Sequence, residues 1–191
     1  MRRWAIGSRA LALHHEALAI WQALGEREAP ATTLFHMSIL LRQEGRLERS
    51  QSLLEEARRI CSEVGNIVRE ASVLHEMGSV ARAARHREAA AGRYREALRI
   101  RLGLGARIGI AQSLEGAATT ATDPTLAARL FGCASAIREE LGAPRHPEEE
   151  PEYEEALAEL RQALGEDRFG REVRAGRALQ LEKACAAALA G

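Results

Sequence analysis

The side chains with which this sequence could do chemistry are mainly arginines and histidines. Of 27 basic side chains only Lys183 is a lysine. An arginine fork captures a carboxylate or phosphate through two parallel hydrogen bonds, so anion recognition is the first chemistry to test. The 6 histidines are scattered. In His14-His15-Glu16 neighbouring residues fall on different helix faces, a poor metal geometry, and His75-Glu76 does not extend to a zinc-binding HExxH because position 79 is serine. Cys61, Cys133 and Cys185 are odd in number, widely spaced and free of any CxxC pattern, so neither a disulfide framework nor a zinc site is expected. They read as buried reduced thiols. Gly103-Leu104-Gly105 with Gly109 shares letters with a dinucleotide-binding turn but has no strand before it, and no GxxxxGK[ST] phosphate loop occurs. No catalytic constellation, cofactor site or metal site follows from the sequence, and the expectation is a non-enzyme.

Composition narrows the partners. The 191 residues carry 27 acidic and 27 basic side chains, a net charge of zero, whereas a dedicated nucleic-acid surface is strongly basic. Arg168, Arg171, Arg174 and Arg177 alternate with Glu166, Asp167, Glu172 and Glu182, which makes a mixed solvated face rather than a phosphate-binding one. Aromatics at 4% leave little for base stacking. No window approaches the apolar length of a membrane span, and Arg9, His14, His15 and Glu16 break up any leader-like core. A cytoplasmic protein that binds neither nucleic acid nor membrane is expected.

The elements that must position the arginines are set by repetition. Ala17-Leu18-Ala19-Ile20 through Gly25 recurs from Ala57 to Gly65 and from Ala97 to Gly105, each a step of 40 residues; a fourth copy, Ala134 to Gly142, follows after 37. A second series shares the period: Leu34, Met37, Ser38, Leu41; then Leu74, Met77, Gly78, Ala81; then Leu114, Ala117, Ala118, Ala121. Spacing of i, i+3, i+4, i+7 is one face of an α-helix. Each unit is therefore a pair of antiparallel helices, with a small residue (Ser38, Gly78, Ala118) where the two must approach closely.

Ser50-Leu54-Ala57, Ala90-Tyr94-Ala97 and Ala127-Phe131-Ala134 form the matching triads of the second helix. These residues resemble the tetratricopeptide repeat, with leucine for the usual tryptophan of helix A, no closing proline, and a period of 40 against the common 34. The resemblance implies an all-α solenoid over residues 1–143, a half-repeat and three hairpins, whose A helices line a concave groove. The groove residues it implies are Phe35, Ile39 and Arg42, His75, Ser79 and Arg82, and Glu115 and Thr119. Arg42 and Arg82, one repeat apart, could clamp a carboxylate or phosphate; alternatively they pair with Glu76 or Glu115. Ala10, His14 and Ala17 align with a helix B triad that too few residues precede to supply a helix A. The reading is either a fragment of a longer array or an end, near Trp4, Leu11 and Leu18, that docks on something, such as a second copy.

Residues 144–191 leave the period. Pro144 and Pro147 bracket a loop; a helix follows from about Glu148 to Leu164 with Tyr153, Leu157, Leu160 and Leu164 in one stripe. Its first turn is crowded with glutamates that suit the helix dipole. Two shorter helices, near Asp167–Arg174 and Leu181–Leu189 and separated by Gly176, would cap the solenoid. The run from Ala128 to Ala134, then Ile137 to Gly142, Tyr153-Glu154, Leu164-Gly165-Glu166, Phe169 and Gly176 to Leu179, resembles the end of the repeat region in bacterial LuxR-type ATP-dependent transcriptional regulators. That resemblance implies a sensor or scaffold segment. The function expected is protein or peptide binding without catalysis, with small-molecule sensing and self-assembly through the open N-terminal end as the alternatives.

Overall fold

The computed structural model describes residues 2–147 and 149–190, with side chains from residue 9 onward. Among these residues there are ten helices and no strand: α1 (Arg2–Leu24), α2 (Ala29–Gln43), α3 (Leu47–Val64), α4 (Ile67–Ala83), α5 (Arg87–Gly103), α6 (Arg107–Thr120), α7 (Pro124–Glu140), α8 (Glu150–Leu164), α9 (Glu166–Arg177) and α10 (Leu181–Ala190). The fold is the all-α helical-repeat type that the 40-residue period predicts. Backbone contacts group the chain into two compact units, residues 1–90 and 91–191.

In the first unit α2 packs on α1, α3 and α4. The triad Ser50, Leu54 and Ala57 is fully buried. The close approach of α2 and α3 is made by two serines, with the Ser50 hydroxyl donating to the Ser38 carbonyl at 2.8 Å. Helix starts are marked locally: Pro30 lies in the first turn of α2, and the Asn66 side chain caps α4 by accepting from the Arg69 N–H at 2.8 Å. The corner between α2 and α3 turns through Gly45 at φ 74°; the equivalent corner before α5 turns through Arg85 at φ 62° without a glycine. Ala10, His14 and Ala17 are only half-buried. Leu13, Ile20 and Leu24, in one stripe of α1, remain 58%, 56% and 67% exposed. Trp4 lies outside the described side chains.

In the second unit the core joins Leu114, Ala118, Leu130, Phe131, Ile137, Leu157, Phe169 and Cys185. The stripe expected on α8 is there: Leu157 is buried, and Tyr153, Leu160 and Leu164 pack against the same core. The helices after α8 match their expected positions, but Gly176 does not separate them. It sits inside α9 at a helix crossing with α7. A Cβ on Gly176 would lie 2.1 Å from the Arg129 carbonyl oxygen, and one on Gly132 would lie 2.2 Å from that of Val173. Two glycines let the backbones touch, so α9 is seated directly on α7.

Candidate binding faces

The eight groove residues read from the sequence fall on two faces, one in each unit. In the first unit, Phe35, Ile39 and Arg42 lie along one side of α2, and His75, Ser79 and Arg82 along one side of α4. All are half-buried except Ser79, which is buried. Two side-chain rungs tie the helices. The Arg69 guanidinium lies over the Phe35 ring at 5.2 Å, and the Arg42 Nε–H donates to Glu76 Oε1 at 2.6 Å. Both rungs advance by seven residues on both helices, two helical turns, so α2 and α4 run parallel and in register. The Ser79 hydroxyl donates to the His75 carbonyl at 3.3 Å.

Arg42 is thus engaged by a carboxylate, the pairing left open by the sequence. Its side chain is 12% exposed and that of Glu76 7%, so the ion pair is largely withdrawn from water and fixes the register of the two helices. What remains presented is the apolar pair Phe35 and Ile39 beside the polar edge of His75 and Arg82. Such a face can take an apolar side chain and orient it with a few hydrogen bonds.

The second face is built differently. The Arg138 guanidinium on α7 grips Glu115 of α6 through both arms, Nε to Oε1 and Nη2 to Oε2, each at 2.9 Å. Arg145, from the loop after α7, brings its Nη2 to 2.8 Å from Glu115 Oε1. Its guanidinium also stacks on the Tyr153 ring at 3.3 Å, and that ring meets Phe131 edge-on at 5.3 Å. Burial alone would pull the Arg138 guanidinium down, but the Glu115 carboxylate more than offsets it and the pKa is raised. Burial raises the Tyr153 phenol. Thr119 turns back on its own helix, donating to the Gly116 carbonyl at 2.7 Å. Glu115 is therefore a knot holding the 143–147 loop and α8 against α6 and α7.

Sequence reasoning placed Glu115 in the groove and Tyr153 on the α8 stripe but did not bring Arg138 or Arg145 to them. The signal was faint: an arginine between Pro144 and Pro147 stands on a stiff, short loop that can be laid against a neighbouring helix. Another buried cation was also missed. Arg101 donates to the Gly109 carbonyl at 2.9 Å, the Ser113 hydroxyl at 2.8 Å and Gln112 Oε1 at 3.2 Å. Burial lowers its pKa to about 10.

Cys61, Cys133 and Cys185 are buried and free. Burial raises all three thiols, Cys185 to about 11 with Cys133 and Glu182 nearby, so they stay protonated at neutral pH. Among the described residues no group of three or more His, Cys, Asp or Glu could hold a metal, and no helix is long and apolar enough to cross a membrane.

Comparison with known families agrees with the geometry. The tetratricopeptide repeat family matches at residues 8–63 and 31–102, covering α1 through most of α5. No curated protein matches the chain. Repeats of this family generally serve protein–protein interaction. The two overlapping matches, the 40-residue period and the buried small-residue triads thus identify tetratricopeptide repeats over residues 8–102.

Proposed function

We propose that this chain is a non-catalytic module that binds a protein or peptide on the α2–α4 face, as the sensor or scaffold segment of a bacterial signalling or transcriptional regulator. One observation carries the reading. Two parallel helices are locked in register by Arg42–Glu76 and Arg69–Phe35, beneath a half-exposed row of apolar and polar side chains. A rigid face of that kind loses little order on binding, so affinity depends on fit rather than on reaction chemistry. Residues 1–143 carry the face and 144–191 act as the cap. The resemblance of residues 128–179 to the end of LuxR-type regulators supports the regulatory setting, which is cytoplasmic and does not itself involve nucleic acid.

The test is capture of a partner by the purified chain beside a Phe35→Ala/Arg82→Glu variant of unchanged helicity. A partner held by the parent and lost by the variant supports the face. A partner held equally by both removes it. A second reading, self-assembly through α1, is favoured by the exposed stripe Leu13, Ile20 and Leu24. Sedimentation at rising concentration tests it: a mass that grows with concentration, and stays monomeric in Leu13→Asp/Ile20→Asp, supports the second reading. A constant monomer mass discards it.

A further inference from the structure

A recess of about 300 Å³ opens between α1, α2 and α3, away from the α2–α4 face, lined by Leu11, Ala12 and His15 of α1, Met37 and Leu41 of α2, and the arginines at the start of α3. Its floor is the buried pair Met37 and Leu41; its rim carries His15, Arg46 and Arg49. The walls are apolar and the mouth is cationic. Arg46 is held by Glu44 at 3.4 Å, whereas neither His15 nor Arg49 has a side-chain partner among the described residues.

The repeat supplies an internal control. Forty residues on, the positions of Leu11, Ala12 and His15 are filled by Gln51, Ser52 and Glu55, and those of Arg46 and Arg49 by His86 and Ala89. There the wall is polar and partly closed on itself, with the Gln51 amide donating to Glu55 Oε1 at 3.0 Å. Met37 is repeated as Met77 while Leu41 becomes Ala81, so only one of the two floor residues is kept by the scaffold. The apolar wall and the two arginines are not needed to build a repeat, since the next one does without them.

We infer that this recess binds a small aliphatic carboxylate, its chain on Met37, Leu41 and Leu11 and its carboxylate against Arg49 and Arg46. The charge selects the headgroup: a guanidinium fork at the mouth of an apolar pocket complements one carboxylate and repels an amine. The size selects the chain. At roughly 30 Å³ per heavy atom, the share a water takes in the liquid, the recess admits about ten non-hydrogen atoms, the size of octanoate.

The experiment is an NMR titration of the whole chain with octanoate, repeated with octylamine, with octanol and with a short peptide ending in a leucine carboxylate. Octanoate should give saturable shifts confined to α1, α2 and the start of α3. Arg49→Glu should weaken it at least tenfold. Ala12→Phe, at an exposed position that fills the mouth without changing charge, should weaken it similarly; both variants are checked for unchanged helicity. Non-saturable shifts, equal binding of octylamine or octanol, indifference to both substitutions, or preference for the peptide would each overturn the assignment.

Discussion

The A-helix faces of the two units start from the same repeat and end in opposite states. On α2 and α4 the ionic rung Arg42–Glu76 joins two scaffold helices and leaves Phe35, Ile39 and His75 half-exposed beside it. On α6 the carboxylate of Glu115 is gripped by Arg138 and Arg145, and Tyr153 is drawn over the second guanidinium. One face stays half-exposed within its unit, and the other is filled by the chain's own arm. The difference shows that a repeat position does not fix its role: His75 and Glu115 share a register, yet only the second has a stiff proline-bounded loop long enough to reach it.

The strongest way to break the comparison is to unseat the arm at the α7–α9 crossing. Gly132→Ala places a methyl where a backbone carbonyl already lies at 2.2 Å, and no side-chain rotation can relieve it. The expected loss is about 3 kcal/mol or more, toward the upper end for overpacked sites. It should fall on the second unit, with amide exchange accelerating in α7 to α10 while α2 to α4 keep their protection. Uniform acceleration across both units would mean that the two do not unfold separately.

The next effect separates the two ionic ties. Glu115→Gln leaves the buried Arg138 with only the more distant Glu149 carboxylate, 3.9 Å away, and weakens the hold on Arg145, a loss of about 3 kcal/mol, the low end for broken buried pairs. Glu76→Gln removes a partner from Arg42, whose side chain is 12% exposed against 6% for Arg138, so about 1–2 kcal/mol is expected. Urea denaturation of both variants orders them. Equal losses would show that Arg145 and its stacking on Tyr153 add nothing.

Much of this architecture was legible in the sequence, because a repeat writes its packing rules several times. The small-residue triads predicted the inward face of three B helices, and all three triads are buried; the stripe on α8 predicted its inward side. What the repeat could not disclose is where one copy departs from the others. Arg101 stands where Cys61 stands one period earlier, and it fits because two further positions changed with it. Gly109 replaces Arg69, and a Cβ there would meet the Arg101 side chain at 2.9 Å; Ser113 replaces Val73 and accepts its hydrogen bond. Each change alone looks like drift, and only the fold brings the three together. The eight groove positions were legible as helix faces. The partners of Glu115, Arg138 and Arg145, lie 23 and 30 residues away; Arg138 takes the place of Arg101 in the fourth copy yet turns to a different partner, and Arg145 lies past the last copy, so no repeated trace shows the contact.

The open face can be stiffened without being touched. Arg85 holds a left-handed backbone, φ 62°, at the corner where the preceding repeat has Gly45 at φ 74°. A side chain in that region costs about 1 kcal/mol relative to glycine. Arg85→Gly should therefore raise stability by about 1 kcal/mol in urea denaturation, with partner binding at α2–α4 unchanged. Gly45→Arg should lower it by a similar amount. If Arg85→Gly destabilises instead, the exposed arginine makes a contact that outweighs its backbone cost.

The smallest expected effect is acid sensitivity, and it should belong to the second unit. Glu140 takes two hydrogen bonds from Arg107, one of them at 2.7 Å, and Glu139 is gripped by both arms of Arg177. Those bonds hold both carboxyls below the ordinary value of 4.5. A carboxylate whose folded pKa is depressed binds fewer protons in the native state than in the unfolded one. Its stabilisation is complete above the ordinary value and is lost as pH falls through the lowered one. Both pairs are open to solvent, so salt should screen what they contribute. In urea melts at falling pH, Glu140→Gln should flatten the decline below about pH 4.5 while changing little at neutral pH. Amide exchange should locate the remaining acid loss at the junctions of α6 with α7 and α7 with α9. If the variant declines as steeply as the parent, the acid response does not come from the Arg107–Glu140 pair, and that surface pair is an ornament of a packing already fixed by the two glycines.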